Sequence, residues 1–320
     1  MRRALFRILV MLSALTLAAA GTAHAGEPYR PTGAIEAEFS QRGPWAVTAQ
    51  THFGCCDTTG AAYDIWYPTD LGAHGVRHPI VTWGIGTNSE PHRYAYLLEH
   101  LASWGFVVIA TENRNTGSGV DIAGAARYLV DAAADPASPF HDRLDTGAIG
   151  AMGHSQGGSG ALNAMADSEG LIDTAVPIEL PAQAFCSGAS CADTARLRSG
   201  SVLFVNGADD ALISPSNQPP WQPQGLQSNR AYYDATPPPV TKAWGTLVRA
   251  NHNDPQGAPD CAHASAPCST GVYGYLGYPT AWLVAQLWGC DHARRAFEPG
   301  SGEFYRPNPN WANQIGATAR

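Results

Sequence analysis

A chain of 320 residues, 44% hydrophobic and 14% charged, has ample apolar material for a folded core and too little charge to stay disordered. Its formal charge is −8, and no Lys/Arg cluster appears in the body of the chain, which excludes an electrostatic nucleic-acid surface.

The first element is a processing signal. "MRRALFR" is a positive start, "ILVMLSALTLAAA" a short apolar run, and Ala23-His24-Ala25 a small-x-small pattern before Gly26. Residues 1–25 therefore read as a signal peptide removed on export. That run is too short to span a bilayer comfortably, and no later one is long enough. The exported product is expected to be extracellular, without a membrane span, and a monomer.

Residues 26–320 read as one domain, with a polar N-terminal segment to about Gly43. "AYDIWYP" and "HPIVTWG" are predicted strands, "EPHRYAYLLEHLASW" has helical spacing, and "GFVVIAT" is a β-branched run of the kind buried in parallel sheets. An amphipathic helix follows in "SGVDIAGAARYLVDAAAD", then a strand in "GAIGAMG" and a helix opening at "GGSGALNAMADSEG". "TAVPIEL" and "SVLFVNGADD" are two more strand-then-loop units, and "VTKAWGTLVRANH" reads as the last strand. "VYGYLGYPTAWLVAQLWGC" supplies a C-terminal helix starting at or after Pro279. Strands alternating with helices in this way predict an α/β fold: a mostly parallel sheet with helices on both faces.

Export would place the seven cysteines in an oxidising compartment. Cys186–Cys191 and Cys261–Cys268 are expected as local bridges, with Cys290 meeting Cys55 or Cys56 and one thiol left free. The CxxC spacings of a zinc site are absent, so no metal is expected.

In an open parallel sheet, sites form beyond the carboxyl ends of the strands. Three loops there carry usable chemistry. Gly153-His154-Ser155-Gln156-Gly157 fits G-x-S-x-G between a strand and a helix, where a sharp turn lifts a serine hydroxyl above the sheet. In "LFVNGADDALISP", Asp210 is preferred over Asp209 as the acid that holds a histidine tautomer, because Gly207 gives the chain room to turn first; Glu179 on the preceding strand is a weaker rival. In "LVRANHNDP", His252 follows the last predicted strand, and it completes the order Ser155, Asp210, His252. His263 lies in a cysteine loop, His292 beyond the last helix, and His154 would point away from the serine beside it. For the oxyanion, one backbone donor is expected from Gln156. The other is expected from "GIGTNSEP", at Ile85 with Thr87 as the alternative.

These residues together resemble the α/β-hydrolase superfamily, and within it the branch of poly(ethylene terephthalate) hydrolases, cutinases, dienelactone-hydrolase-like esterases and chlorophyllases. The resemblance spans roughly Gly43 to Asp291 and rests on "YDIWYPTD", "HLASWGFVVIATENRNTGSG", "GAMGHSQGGSGAL", "LFVNGADDALISP" and "AWLVAQLWG". It implies a Ser155–His252–Asp210 triad and cofactor-free hydrolysis of carboxylic esters through an acyl-enzyme, polyesters included. Deacetylation or deferuloylation of polysaccharide is the alternative reaction, and an inactive secreted binding module on the same fold the alternative of another class. Two departures stand out. Gln156 replaces the methionine of the polyester hydrolases, and Pro181 falls near their tryptophan position. Both cysteine loops and the proline-rich "SPSNQPPWQPQG" lie near the predicted catalytic edge, which predicts a cleft more covered than an open polyester groove.

Overall fold

The computed structural model describes residues 29–319, so the expected signal peptide, 1–25, lies outside the described residues. The helices are α1 (Ala34–Ser40), α2 (Ala95–Ser103), α3 (Val120–Ala134), α4 (Gln156–Asp167), α5 (Asn229–Ala235), α6 (Gly277–Leu287) and α7 (Asp291–Arg294). The strands are β1 (Val47–Cys55), β2 (Ala62–Pro68), β3 (His78–Gly84), β4 (Val107–Thr111), β5 (Leu144–His154), β6 (Thr174–Ile178), β7 (Ser201–Gly207), β8 (Thr241–Leu247) and β9 (Trp311–Ala317). They form one sheet in the order β1-β2-β4-β3-β5-β6-β7-β8-β9. From β4 to β8 every pair is parallel, and antiparallel β1, β2 and β9 close the two edges.

Side-chain alternation divides the core into two layers. Val81, Trp83, Val108, Ala110, Leu203 and Val205 face a layer shared with α1, α2 and α6. Ile80, Val107, Ile109, Val202 and Phe204 face the other, shared with α3, α4 and α5. Because both faces are covered, the central strands are apolar throughout, and β3, β4, β6 and β7 are buried at every position. This is the expected α/β-hydrolase arrangement, and it collects the loops after β3, β5, β6, β7 and β8 at one edge of the sheet.

The structure corrects several expectations. The segment before Gly43 is part of the fold: α1 buries Ile35 and Phe39, one turn apart on one face, against the α6 side of the sheet. Its buried Glu36 accepts from Thr32 N–H at 3.1 Å, Trp311 Nε1–H at 2.6 Å and the Tyr29 hydroxyl. The start of the described chain is thus clasped to β9 near its end. β1 and β9 were not anticipated, so β8 is not the last strand. α6 begins at Gly277, with Pro279 in its first turn, where a missing N–H costs nothing. His292 lies within α7 rather than beyond the last helix.

The local bridges Cys186–Cys191 and Cys261–Cys268 are present, with Cα atoms 5.1 and 5.9 Å apart. The expected link from Cys290 to Cys55 or Cys56 is not: Cys55 and Cys56 pair with each other, and Cys290 is free. The sheet separates them. Cys55 pairs with Ala62, beside Tyr63 and the carboxyl end of β4. Cys290 follows Trp288, whose ring packs 6.0 Å from that of His78, at the amino end of β3.

Candidate active site

The turn between β5 and α4 is set by backbone crowding. Ser155 has φ 55 and ψ −125, a conformation that L-residues avoid unless their surroundings enforce it. Two glycines make the turn possible. A Cβ on Gly153 would run into the carbonyl of Gly157, and a Cβ on Gly157 would run into the carbonyl of Gly84 at the end of β3. Ser155 N–H donates to Ile178 O of β6 at 2.9 Å, which anchors the turn to the neighbouring strand.

The structure brings the three expected side chains together. Ser155 Oγ lies 2.9 Å from His252 Nε2, and His252 Nδ1 lies 2.5 Å from Asp210 Oδ2. All three are buried. Asp210 also accepts Ile213 N–H at 3.0 Å, while the neighbouring Asp209 is exposed. With Asp210 an acceptor, Nδ1 carries the proton and Nε2 is free to accept from the serine. His292 and His263 lie elsewhere: His292 pairs with Glu38 of α1, and the His263 carbonyl accepts from Arg93.

The loop carrying His252 has an organiser that sequence reasoning missed. Asp254, completely buried, accepts the backbone N–H groups of Asn251, Ser269, Thr270 and Gly271. Burial pushes its carboxyl up from the usual range, and those four donors pull it back down. One acceptor thus ties both ends of the 251–271 loop together around the Cys261–Cys268 bridge. The signal was "NDP" beside His252, which reads equally well as an ordinary turn.

His154 braces the site instead of simply facing away. Burial, then the neighbouring His252, hold its ring neutral, well below the usual histidine range. Its Nε2 lies 2.7 Å from the His252 carbonyl, which only accepts, so Nε2 carries the proton. Nδ1 then accepts from the Tyr94 hydroxyl at 2.8 Å, and the Tyr94 oxygen accepts Gly86 N–H at 3.0 Å. This chain of bonds joins the serine turn, the histidine loop and the loop after β3.

It also corrects Ile85. That residue is 0% exposed, belongs to the core, and does not line the cavity at Ser155. The chain stays buried through Gly86, whose N–H is committed to Tyr94, and emerges at Thr87, which does line the cavity. Gln156 is the first residue of α4, where helix N–H groups have no intrahelical partner and the dipole is positive. Its side chain donates to Arg114 O at 2.6 Å.

The cavity above Ser155 holds about 310 Å³. Pro181 and Phe185 enter it from the loop after β6, Ile213 from the loop after β7, and Asn253 and Gln256 from the loop after β8. A larger hollow, about 600 Å³, opens beside Arg93, Tyr96 and His263, with no serine or cysteine in its lining. The smaller one holds the Ser155 hydroxyl that is bonded to His252.

Comparison with known proteins places the chain in a family. The family described as PET hydrolase-like matches residues 20–186, just over half of the chain. The cutinase cut1 of Thermobifida fusca is 28% identical over 256 residues, covering 77% of this chain and 70% of that protein. A bis(hydroxyethyl) terephthalate hydrolase of Streptomyces coelicolor is 32% identical over 173 residues, covering 51% of this chain and 52% of that one. The cutinase est2 of Thermobifida alba is 30% identical over 165 residues, about half of either chain. The chain therefore belongs to the PET hydrolase-like family and is a carboxylic ester hydrolase.

Proposed function

We propose that this protein is an exported, monomeric serine hydrolase that cleaves polyester-type ester bonds with Ser155, His252 and Asp210, and that it prefers soluble oligomeric esters to a continuous polymer surface. The observation that carries the reading is the unbroken line of hydrogen bonds from Ser155 Oγ through His252 to Asp210.

His252 Nε2 takes the proton of Ser155 as Oγ attacks the ester carbonyl. The oxyanion that forms is met by the N–H groups of Gln156 and Thr87, with the α4 dipole behind them. Asp210 stabilises the imidazolium through Nδ1–H. The imidazolium returns its proton to the departing alkoxide, and the acyl group stays on Ser155. Water then attacks that acyl-enzyme while His252 again accepts a proton, and the acid leaves. No cofactor takes part in any of these steps. The preference for oligomers rests on the walls. Phe185, Ile213 and Pro181 enclose a volume near the lower end of small-ligand sites, enough for one aromatic ester unit.

Two measurements test this. A fluorophosphonate should add once, and peptide mapping should place it on Ser155; labelling elsewhere, or none, would remove the assignment. Rates on acetyl, butyryl and longer p-nitrophenyl esters, on bis(hydroxyethyl) terephthalate and on a polyester film should favour the soluble aromatic ester over the film. Faster release from the film would reverse the substrate reading and leave the triad intact.

A further inference from the structure

One buried acid in the site has no part in the steps above. Glu179 follows β6 directly, is 0% exposed, and sits at φ 49, a left-handed backbone unusual for a non-glycine residue. Its Oε1 accepts from the Tyr275 hydroxyl, and its Oε2 has no hydrogen-bond partner. One of its oxygens, one of Asp210's and a ring nitrogen of His252 all lie within 4.8 Å of one another. The site thus contains two carboxyls and one imidazole in mutual contact range, from three successive strand ends.

We propose that Glu179 is a second acid of the triad: a positioning residue, kept protonated beside an ionised Asp210, which ionises and supports His252 when Asp210 is lost. The claim rests on the Ser155–His252–Asp210 reading and extends it.

Two carboxylates this close in a dry site cannot both ionise cheaply, so one keeps its proton. Asp210 has the shorter contact to His252 and a backbone N–H from Ile213, both of which favour its charged form. Glu179 meets only neutral donors, the Tyr275 hydroxyl and, more weakly, the Gly207 N–H, and Oε2 has no hydrogen-bond partner, which leaves its charged form poorly solvated. Burial first, and then Asp210, push its carboxyl well above the usual range, while the Tyr275 hydroxyl and the Gly207 N–H oppose this. The groups facing it are Tyr275 from the turn before α6, Asp210 after β7, and His252 and Asp254 after β8. Of these only His252 becomes positive. Removing Asp210 therefore deletes the main repulsion on Glu179 and leaves its carboxyl within 4.8 Å of the imidazole. Its proton then goes to solvent, and one negative charge remains in the site. The strained backbone at Glu179 fits this role, since a purely structural acid does not need to be held at a strand end facing the triad.

The test uses Asp210→Ala, Asp210→Ala/Glu179→Gln and Glu179→Gln in the full chain. On a soluble p-nitrophenyl ester, Asp210→Ala should keep a residual rate about tenfold or more above the double variant, because a displaced carboxylate recovers part of what the triad acid supplies. That residue of activity should rise with pH through one ionisation that the double variant lacks. Equal rates and equal pH profiles for the two variants would overturn the proposal. The infrared spectrum of the otherwise native protein gives a second reading that does not depend on those variants folding. At neutral pH the carbonyl stretch of a protonated buried carboxyl should be present and should disappear in Glu179→Gln. An unchanged spectrum would also overturn the proposal. Loss of the triad reading itself would look different, since Ser155→Ala would then remain active.

Discussion

The turn at Ser155 and the rim around the cavity are built on opposite plans. The turn is backbone packed against backbone: Gly153, Gly157 and Gly84 leave no room for a side chain, and β3, β5, β6 and α4 hold it from all sides. The rim is side chains carried on long loops, two of them stapled by disulfides and one rich in proline. The chemistry needs a fixed hydroxyl, whereas selection of a substrate needs only a wall that can be exchanged. Changes to the turn should therefore be fatal, and changes to the rim should merely retune the enzyme.

The largest effect should follow from forcing a side chain into the turn. Gly157→Ala must displace the Gly84 and Ile85 carbonyls and should cost about 3 kcal/mol or more, with activity lost alongside. Gly158→Ala, one residue on, meets neighbours no closer than 3.2 Å and should cost less than about 1 kcal/mol. Urea unfolding of the pair would measure the contrast, and equal losses would break it.

Acid should come next, and it should act on the framework before the rim. His100 is buried against the Phe39 carbonyl and held down to about 4 by desolvation, and burial lowers His78 and His154 as well. Each is neutral in the fold and protonates more readily once unfolded. Their stabilisation is complete above pH 6.5 and is lost as pH falls from there toward 4. For His100 alone the loss is about 3 kcal/mol. Unfolding free energies that stay flat from pH 7 to 4.5 would contradict this.

Tyr94→Phe tests the link between the two halves. It leaves Gly86 N–H and His154 Nδ1 without a partner. About 1–1.5 kcal/mol should appear as a roughly tenfold fall in kcat on a soluble ester, with KM little changed. A change confined to KM would mean that the loop after β3 does not depend on Tyr94.

The smallest effect belongs to the rim. Phe185→Ala opens the cavity wall, and half of that side chain is already exposed to solvent. Stability should move by less than about 0.5 kcal/mol. The ratio of film to soluble-ester rates should rise as the cleft opens. A large stability loss would show the rim to be framework after all.

What the sequence revealed follows the same division. The buried parallel strands announce themselves as apolar runs, and the turn announces itself through its glycines. Asp210 and His252 were legible because each follows such a strand by a few residues. β1 and β9 were not, because an edge strand is half solvated: the middle of β1 is exposed, and "WANQIGA" carries no strong period. Only pairing with β2 and β8 makes them strands. Ile85 was misjudged because the number of residues a loop keeps buried before it emerges depends on Tyr94, which lies on a later turn. Cys290 was misjudged because closeness across a sheet depends on strand order, which spacing along the chain does not contain. Glu179 was noticed as a strand-end acid, but its distance to Asp210 needed three dimensions.

The most direct test of the account is the rate of Ser155→Ala on a short p-nitrophenyl ester, measured on protein whose unfolding curve matches the native one. A loss of kcat/KM on the order of 10³-fold or more is expected, with binding of the substrate preserved. Activity within a few-fold of native in that folded variant would contradict it.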